Sequence, residues 1–216
     1  IEDGTSVNNG DIIFKLAGPA RSLLTCERIL LNCMQRMSGI ATKTRHMVDL
    51  IAGTNAKLLD TRKTTPNFRI AEKWAVFIGG GTNHRYGLYD MIMLKDNHID
   101  YAGGISQAIQ ATKAYLDTHQ KSLAIEVETR NLDEVQQVVD TGGVQRIMLD
   151  NMSLDQMRSA VEIIGNKAET EASGGITETT IRGVAETGVD YISVGALTHQ
   201  VISLDMSLKA SKSLEK

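Results

Sequence analysis

From residue 54 onward the chain repeats one pattern: a short apolar run, then a longer amphipathic stretch with apolar residues three and four apart. The apolar runs predict strands over residues 57–60, 90–95, 123–128, 146–150, 169–173 and 191–195. The amphipathic stretches predict helices over 66–78, 105–118, 132–141, 154–164 and 178–187. Thr65-Pro66, Asn131, Ser153 and Thr177 stand where helices start, and Gly142, Gly165 and Gly188 where they end. Alternating strands and helices make a parallel sheet with right-handed crossovers. No G-x-G-x-x-G follows the first strand, which disfavours a dinucleotide-binding sheet. The expected fold is therefore α/β, an incomplete βα barrel of about six parallel strands.

The first 53 residues pattern differently. Residues 1–24 alternate polar turns with small apolar runs such as Ile12-Ile13-Phe14, a β-hairpin texture. From Thr25, a helical face appears at Ile29, Leu30, Cys33, Met34 and Met37; Gly39 is expected to interrupt it, and residues 44–51 resume it up to Gly53. On this pattern alone Arg28 and Arg36 read as solvated helix charges and His46 as an exposed side chain.

Composition narrows the function. The net charge of −3 leaves no global basic field to hold nucleic acid, so the cations discussed below act locally. No apolar run approaches the ~20 residues of a membrane span, and no signal-peptide pattern opens the chain. Cys26 and Cys33 read as two reduced, buried thiols in a reducing compartment, the cytoplasm.

Ligands of a βα barrel bind at the carboxyl ends of its strands. Here those ends deliver, in order, Asp60, Arg62 and Lys63; Lys95 and Asp96; Glu128; Asp150 and Asn151; Ser173-Gly174-Gly175; and Ser193-Val194-Gly195-Ala196. His84 and Arg85 fall between the first two strands. Crowded cations are costly unless an anion meets them, so Arg62, Lys63, His84, Arg85 and Lys95 are expected to face one small polyanion. The two glycine-rich ends suit phosphate, because bare backbone N–H groups bind it well.

Glu128 and Asp150, after successive strands, fit a glycosidase pair, a hydrated Mg²⁺ or the hydroxyls of a sugar. The neighbouring cations favour sugar or Mg²⁺, and Glu126 is placed on the same strand face to share that role. His84, His98 and His199 lack H-x-H or H-E-x-x-H spacing, which argues against zinc. A Schiff-base role for Lys63 or Lys95 is less apt than pairing with an anion, since it calls for an apolar pocket.

The ordered motifs resemble those of the quinolinate phosphoribosyltransferase family. They are Glu27-Arg28 with Leu31-Asn32, Met37 to Thr42, Asp60 to Pro66, Gly79 to Arg85, Lys95 to His98, Glu126-Val127-Glu128, Met148 to Asn151, Glu171 to Ile176 and Ser193 to His199. The resemblance implies transfer of phosphoribose from phosphoribosyl pyrophosphate to quinolinate with decarboxylation, in NAD biosynthesis, and a requirement for Mg²⁺. It implies that Arg28, Arg62, Thr64, His84 and Arg85 hold quinolinate, while Lys63 and Lys95 meet carboxylate and phosphate oxygens. Glu128 and Asp150 would serve the ribose and the Mg²⁺–pyrophosphate, completing a catalytic set with Lys63 and Lys95. Ser173, Gly174, Gly175, Val194, Gly195 and Ala196 would cradle the 5′-phosphate, with His199 nearby.

The same resemblance implies a homodimer or higher oligomer in which Arg28 completes the neighbour's site. It divides the chain into residues 1–53, the remnant of an N-terminal α/β sandwich domain with linking helices; 54–200, the catalytic barrel; and 201–216, a C-terminal helix packing back on the N-terminal part. The alternative is a truncated, non-catalytic paralogue that binds phosphoribosyl ligands or a partner subunit.

Overall fold

The computed structural model describes residues 1–210. Strands β1 (Lys57–Leu59), β2 (Ile92–Leu94), β3 (Ile125–Thr129), β4 (Arg146–Asp150), β5 (Glu169–Ser173) and β6 (Tyr191–Ser193) form one all-parallel sheet in the order β1-β6-β5-β4-β3-β2. The first strand thus pairs with the last, the order of a barrel opened between β1 and β2. In that gap a single parallel bridge joins Leu59 to Thr82, with Thr82 N–H donating to Leu58 O at 2.8 Å. The sheet is not closed, in keeping with an incomplete barrel.

Helices α4 (Ile105–Thr118), α5 (Leu132–Thr141) and α6 (Leu154–Ile164) have the expected bounds. Their ends are chemically marked. Asn131 accepts from Glu134 N–H at the start of α5, and Ser153 and Gln156 close a capping box on α6. Helix α2 (Arg69–Ile78) starts later than Pro66, and α7 (Ile181–Ala185) later than Glu178, because Thr177 and Thr180 tie off a turn of their own. Two short helices follow strand ends: α3 (Asp96–Ala102), which the sequence pattern does not reveal, and α8 (Ala196–His199).

Alternation along the strands divides the sheet into two faces. Val127, Ile147, Leu149, Ala172 and Ile192 join Val135, Val138, Ala160, Ile164 and Ile181 of the helices in one buried cluster. By register, Glu126 lies opposite Arg146 and Arg146 opposite Glu169, while Glu128 lies opposite Met148 and Met148 opposite Glu171. The other face is therefore polar and charged, which is unusual for a barrel interior and is explained by the site it supports.

The N-terminal third departs from expectation. Helix α1 (Ala20–Leu50) runs unbroken for 31 residues, through Gly39. A Cβ there would overlap the Ile202 carbonyl and crowd Val201, so Gly39 serves a close chain crossing and does not break the helix. Residues 1–19 contain no strand; they form isolated turns such as Asp11 N–H to Asn8 O at 3.1 Å, since no neighbouring strand is present to pair with. Residues 201–210, where a helix was expected, are not helical. They run along α1 instead, with Leu204 N–H on Gln35 O at 3.2 Å and Gln35 Nε2 on Met206 O at 3.2 Å; residues 211–216 lie outside the described part.

Cys33 is half-buried and Cys26 exposed, so the pair is not the buried one expected; Cys26 lies on the solvent side of α1. His46 is exposed, as expected, and lies 3.5 Å from Glu178. Among the described residues no helix is long and apolar enough to cross a membrane.

Candidate active site

Parallel register brings the strand exits onto one rim. Leu94 pairs with Val127, so the next residues, Lys95 and Glu128, stand side by side, with Nζ 2.8 Å from Oε2. Lys95 is 48% exposed and Glu128 12%, which leaves the ammonium reachable from solvent. Asp150 pairs with Ser173, and Asn151 binds both ends of that step: its N–H donates to Ser173 O at 2.9 Å and its Nδ2 to Asp150 Oδ2 at 2.8 Å. Gly174 sits at φ +95°, and a Cβ there would overlap the Asn151 amide, so only glycine fits this turn.

A second convergence lies at β1 and β6. Leu59 pairs with Ser193, and Val194 N–H donates to Leu59 O at 3.0 Å. The Thr198 hydroxyl donates to Lys63 O at 2.9 Å. A Cβ on Gly195 would come within 3.0 Å of His199 Nε2 and 3.1 Å of Lys63 Cδ. Lys63, Gly195, Ala196 and His199 thus share one small region although they are far apart in the chain. The Gly174-Gly175 turn is separated from α7 by the Thr177–Thr180 turn, so its own amides, and not a helix dipole, are its anion-binding asset.

Between these regions stands a pair of like charges. Arg62 Nε is buried without a hydrogen-bond partner, and Arg62 and burial together hold the neighbouring Arg85 below the usual guanidinium range, burial being the larger cause. Two neighbouring guanidiniums, one with an orphaned buried donor, have the chemistry to meet an anion. Arg69, which the sequence pattern did not single out, locks the loop in place: Nε donates to Thr64 Oγ1 at 3.0 Å, Nη2 to Arg62 O at 3.4 Å and Nη1 to Tyr86 O at 3.0 Å.

His84 differs from expectation. Its side chain is 5% exposed, and Nε2 lies 3.0 Å from Glu126 Oε2 and 3.4 Å from Glu171 Oε2. Glu126 is likewise a partner of this imidazole in the interior and not a rim group beside Glu128. Arg146 closes the network with Nη1 3.2 Å from Glu171 Oε2. The backbone of His84 is held too: its N–H donates to Asp60 Oδ1 at 2.8 Å, and Lys73 Nζ, paired with Asp60, donates to His84 O at 2.9 Å. Burial pushes Asp60 up and Lys73 down, each opposed by the other's charge.

Burial alone would lower the His84 pKa, but Glu126 and Glu171 outweigh it and raise it to about 9. Arg85 N–H donates to Nδ1 at 2.6 Å, a contact that only the neutral ring with its proton on Nε2 can accept, so the charged form loosens it while keeping Nε2–H toward the carboxylates. The sign follows: a base whose pKa rises from 6.5 on folding adds stability fully present below pH 6.5 and lost as pH climbs through about 9. The shift corresponds to roughly 3 kcal/mol. Thermal unfolding midpoints should therefore fall across that window, and His84→Gln should flatten the slope; an unchanged slope would count against the network.

Local spacing does not reveal this cluster. His84, Glu126 and Glu171 place one ligand atom each within 4.8 Å of one another, but they come from three separate segments. Arg146 at the same Glu171 oxygen makes the cluster a charge network. Arg28 is exposed on α1, and among the described residues no hydrogen bond or ion pair joins it to the rim. A cavity of about 450 Å³ lies beside α2, lined by Ile70, Trp74, Phe77, His84, Tyr86 and Asp90 among others.

A family model described as quinolinate phosphoribosyl transferase, C-terminal domain, matches residues 40–209, and its N-terminal counterpart matches residues 1–38. The chain is 47% identical to quinolinate phosphoribosyltransferase [decarboxylating] 1 of Nicotiana glauca, covering 99% of this chain and 65% of that one. It is 44% identical to the probable nicotinate-nucleotide pyrophosphorylase [carboxylating] of Bacillus subtilis, covering 99% and 73%. Among solved structures, NadC from Streptococcus pyogenes superposes with a TM-score of 0.91 at 44% identity, over 97% of this chain and 72% of that one. The chain therefore spans a little under two thirds of the plant relative's length. With both family models matching in order and the sheet superposing, this chain belongs to the quinolinate phosphoribosyl transferase family.

Proposed function

We propose that this chain transfers phosphoribose from phosphoribosyl pyrophosphate to the ring nitrogen of quinolinate, with loss of CO₂, releasing nicotinate mononucleotide and pyrophosphate. The observation that carries this reading is the carboxyl end of the sheet, where an orphaned Arg62 donor beside Arg85, the Lys95–Glu128 pair and two glycine turns would line one bowl. That assortment asks for an organic acid, a sugar and phosphates together. The relatives' names supply the same three.

In this reading Arg62 and Arg85 bind the two carboxylates of quinolinate and aim its nitrogen at the sugar. Thr64 is held by Arg69 at the edge of that pocket. Lys63, Gly195, Ala196 and His199 take the 5′-phosphate from one side, and Ser173, Gly174 and Gly175 from the other. Val194 is buried and fixes the turn from within. Loss of pyrophosphate leaves positive charge on the ribose carbon, which Glu128 and Asp150 are placed to balance, while Lys95 neutralises the departing anion. The nitrogen adds; CO₂ then leaves, and the electron pair left on the ring carbon, stabilised by the adjacent cationic nitrogen, takes up a proton from water to give nicotinate mononucleotide. His84 then acts from beneath, through the backbone that carries Arg85.

Glu128 and Asp150 also fit Mg²⁺: both offer hard oxygens at neighbouring strand exits, and both are partly open to solvent. When bound, the ion would screen the pyrophosphate charge. The exposed Arg28 fits a role in a neighbouring copy's bowl, so we place the chain in a homodimer. Free cysteines suit a reducing, cytoplasmic setting.

The direct test mixes the protein with quinolinate, phosphoribosyl pyrophosphate and Mg²⁺ and follows nicotinate mononucleotide by chromatography. Product formation that depends on both organic substrates is expected, and its absence overturns the reading. Light scattering of the same sample should give twice the chain mass.

A further inference from the structure

One ionic tie lies outside the barrel and reaches both halves of the bowl. Glu72 of α2 is 0% exposed, and Arg36 of α1, 24% exposed, donates to its Oε1 through Nε at 3.0 Å and Nη2 at 2.9 Å. Arg36 is thus not the solvated charge its helical spacing suggests. Glu72 also receives the Thr65 hydroxyl at 2.8 Å on Oε1 and the Thr65 N–H at 3.0 Å on Oε2. The same guanidinium donates to Thr198 O and, at 3.5 Å, to Val201 O. The Thr198 hydroxyl completes the circuit on Lys63 O at 2.9 Å.

Energetics separate two purposes for such a tie. A buried ion pair gives little net stability relative to an apolar pair of the same size, because desolvation offsets the attraction. What it adds is direction, since each donor and acceptor must meet its partner at a set angle. Here the partners are the loop carrying Arg62 and Lys63 and the turn carrying Gly195 and His199.

We propose that Arg36 and Glu72 are positioning residues: together they set the separation between the acid-binding loop and the phosphate-binding turn of the bowl. This rests on the phosphoribosyl-transfer reading above. It makes α1 a working part of its own chain's site, in addition to any role toward a partner.

The test uses Arg36→Met, Glu72→Met and the double variant R36M/E72M in the full chain. Each single change leaves its partner's charge unpaired and should lower the melting temperature, whereas the double should recover most of that loss. In the double, amide exchange of residues 61–65 and 195–199 should still be about tenfold faster than in the original protein, with β4 and β5 unchanged. The KM values for both substrates should rise together by about tenfold, with kcat less affected. If exchange and both KM values return to the original along with the melting temperature, the pair is scaffold only and the proposal is overturned.

Should the double variant not fold, Arg36→Lys decides, because it keeps the charge opposite Glu72 but loses the fork to Thr198. Faster exchange at 195–199 then supports the proposal, and unchanged exchange overturns it. If the original protein forms no nicotinate mononucleotide, the functional reading falls by itself, and the exchange data still decide whether the tie orders the two segments.

Discussion

Lys95→Ala should lower turnover by about 10²- to 10³-fold, the loss typical of removing one preorganised charge from a transfer site. The fold should survive. Lys95 is 48% exposed and its one salt bridge, to Glu128, lies at the mouth of the barrel. Pairs of that kind contribute roughly 0–1 kcal/mol, too little to unfold the chain. The catalytic loss has a different origin. Without the ammonium, Glu128 would present an uncompensated negative charge to a substrate that carries a pyrophosphate, turning a neutral edge of the bowl into a repulsive one. Lys95→Arg should retain part of the activity, since charge returns but a planar fork replaces a compact point donor. Initial rates of nicotinate mononucleotide formation, with circular dichroism melts on the same samples, measure both effects. Near-normal turnover by the alanine variant would remove Lys95 from the mechanism.

Glu171→Ala should act on stability instead, with a loss of about 3–5 kcal/mol, because it takes the shared carboxylate out of a buried network and leaves its partners behind. Arg146 would keep Glu169 at 2.9 Å and the Tyr191 ring at 4.0 Å, and His84 would keep Glu126. Against the upward push of burial, His84 first, then Ser193 and Arg146, hold Glu171 below the usual carboxylate range, so its charge is engaged in the folded state. Glu126, with less compensation, is pushed up by burial. The network therefore depends on Glu171 more than on Glu126. Urea denaturation should show a lower midpoint with an unchanged slope. A change below about 1 kcal/mol, the range of an ordinary surface substitution, would mean that the network carries no structural weight.

Elements with a strong local signal were legible in the residues alone. The bounds of α4, α5 and α6 follow from apolar spacing, and those of α5 and α6 from their Asn131 and Ser153 caps as well. Strands β4 and β5 likewise keep their expected limits. Strands β1, β2 and β6 shrink to three residues each, because the β1–β6 and β2–β3 ladders hold only three residue pairs. Gly39 misled for a related reason: a glycine inside a helix reads as a break until the chain segment crossing it is known.

The site divides in the same way. Which residues leave the strands, and so which chemistry the rim can offer, was settled by the order of amino acids, because side chains alternate and each exit is a local event. Arg62, Lys63, Lys95, Glu128 and Asp150 needed nothing more. Which of those charges stay free and which are consumed inside was decided only by tertiary packing. His84 turns toward Glu126 and Glu171, and Arg36 leaves solvent for Glu72, on account of residues between 36 and 87 positions away in the chain. Electrostatic partners act through space, and their energy depends on distance and burial that no spacing along the chain encodes.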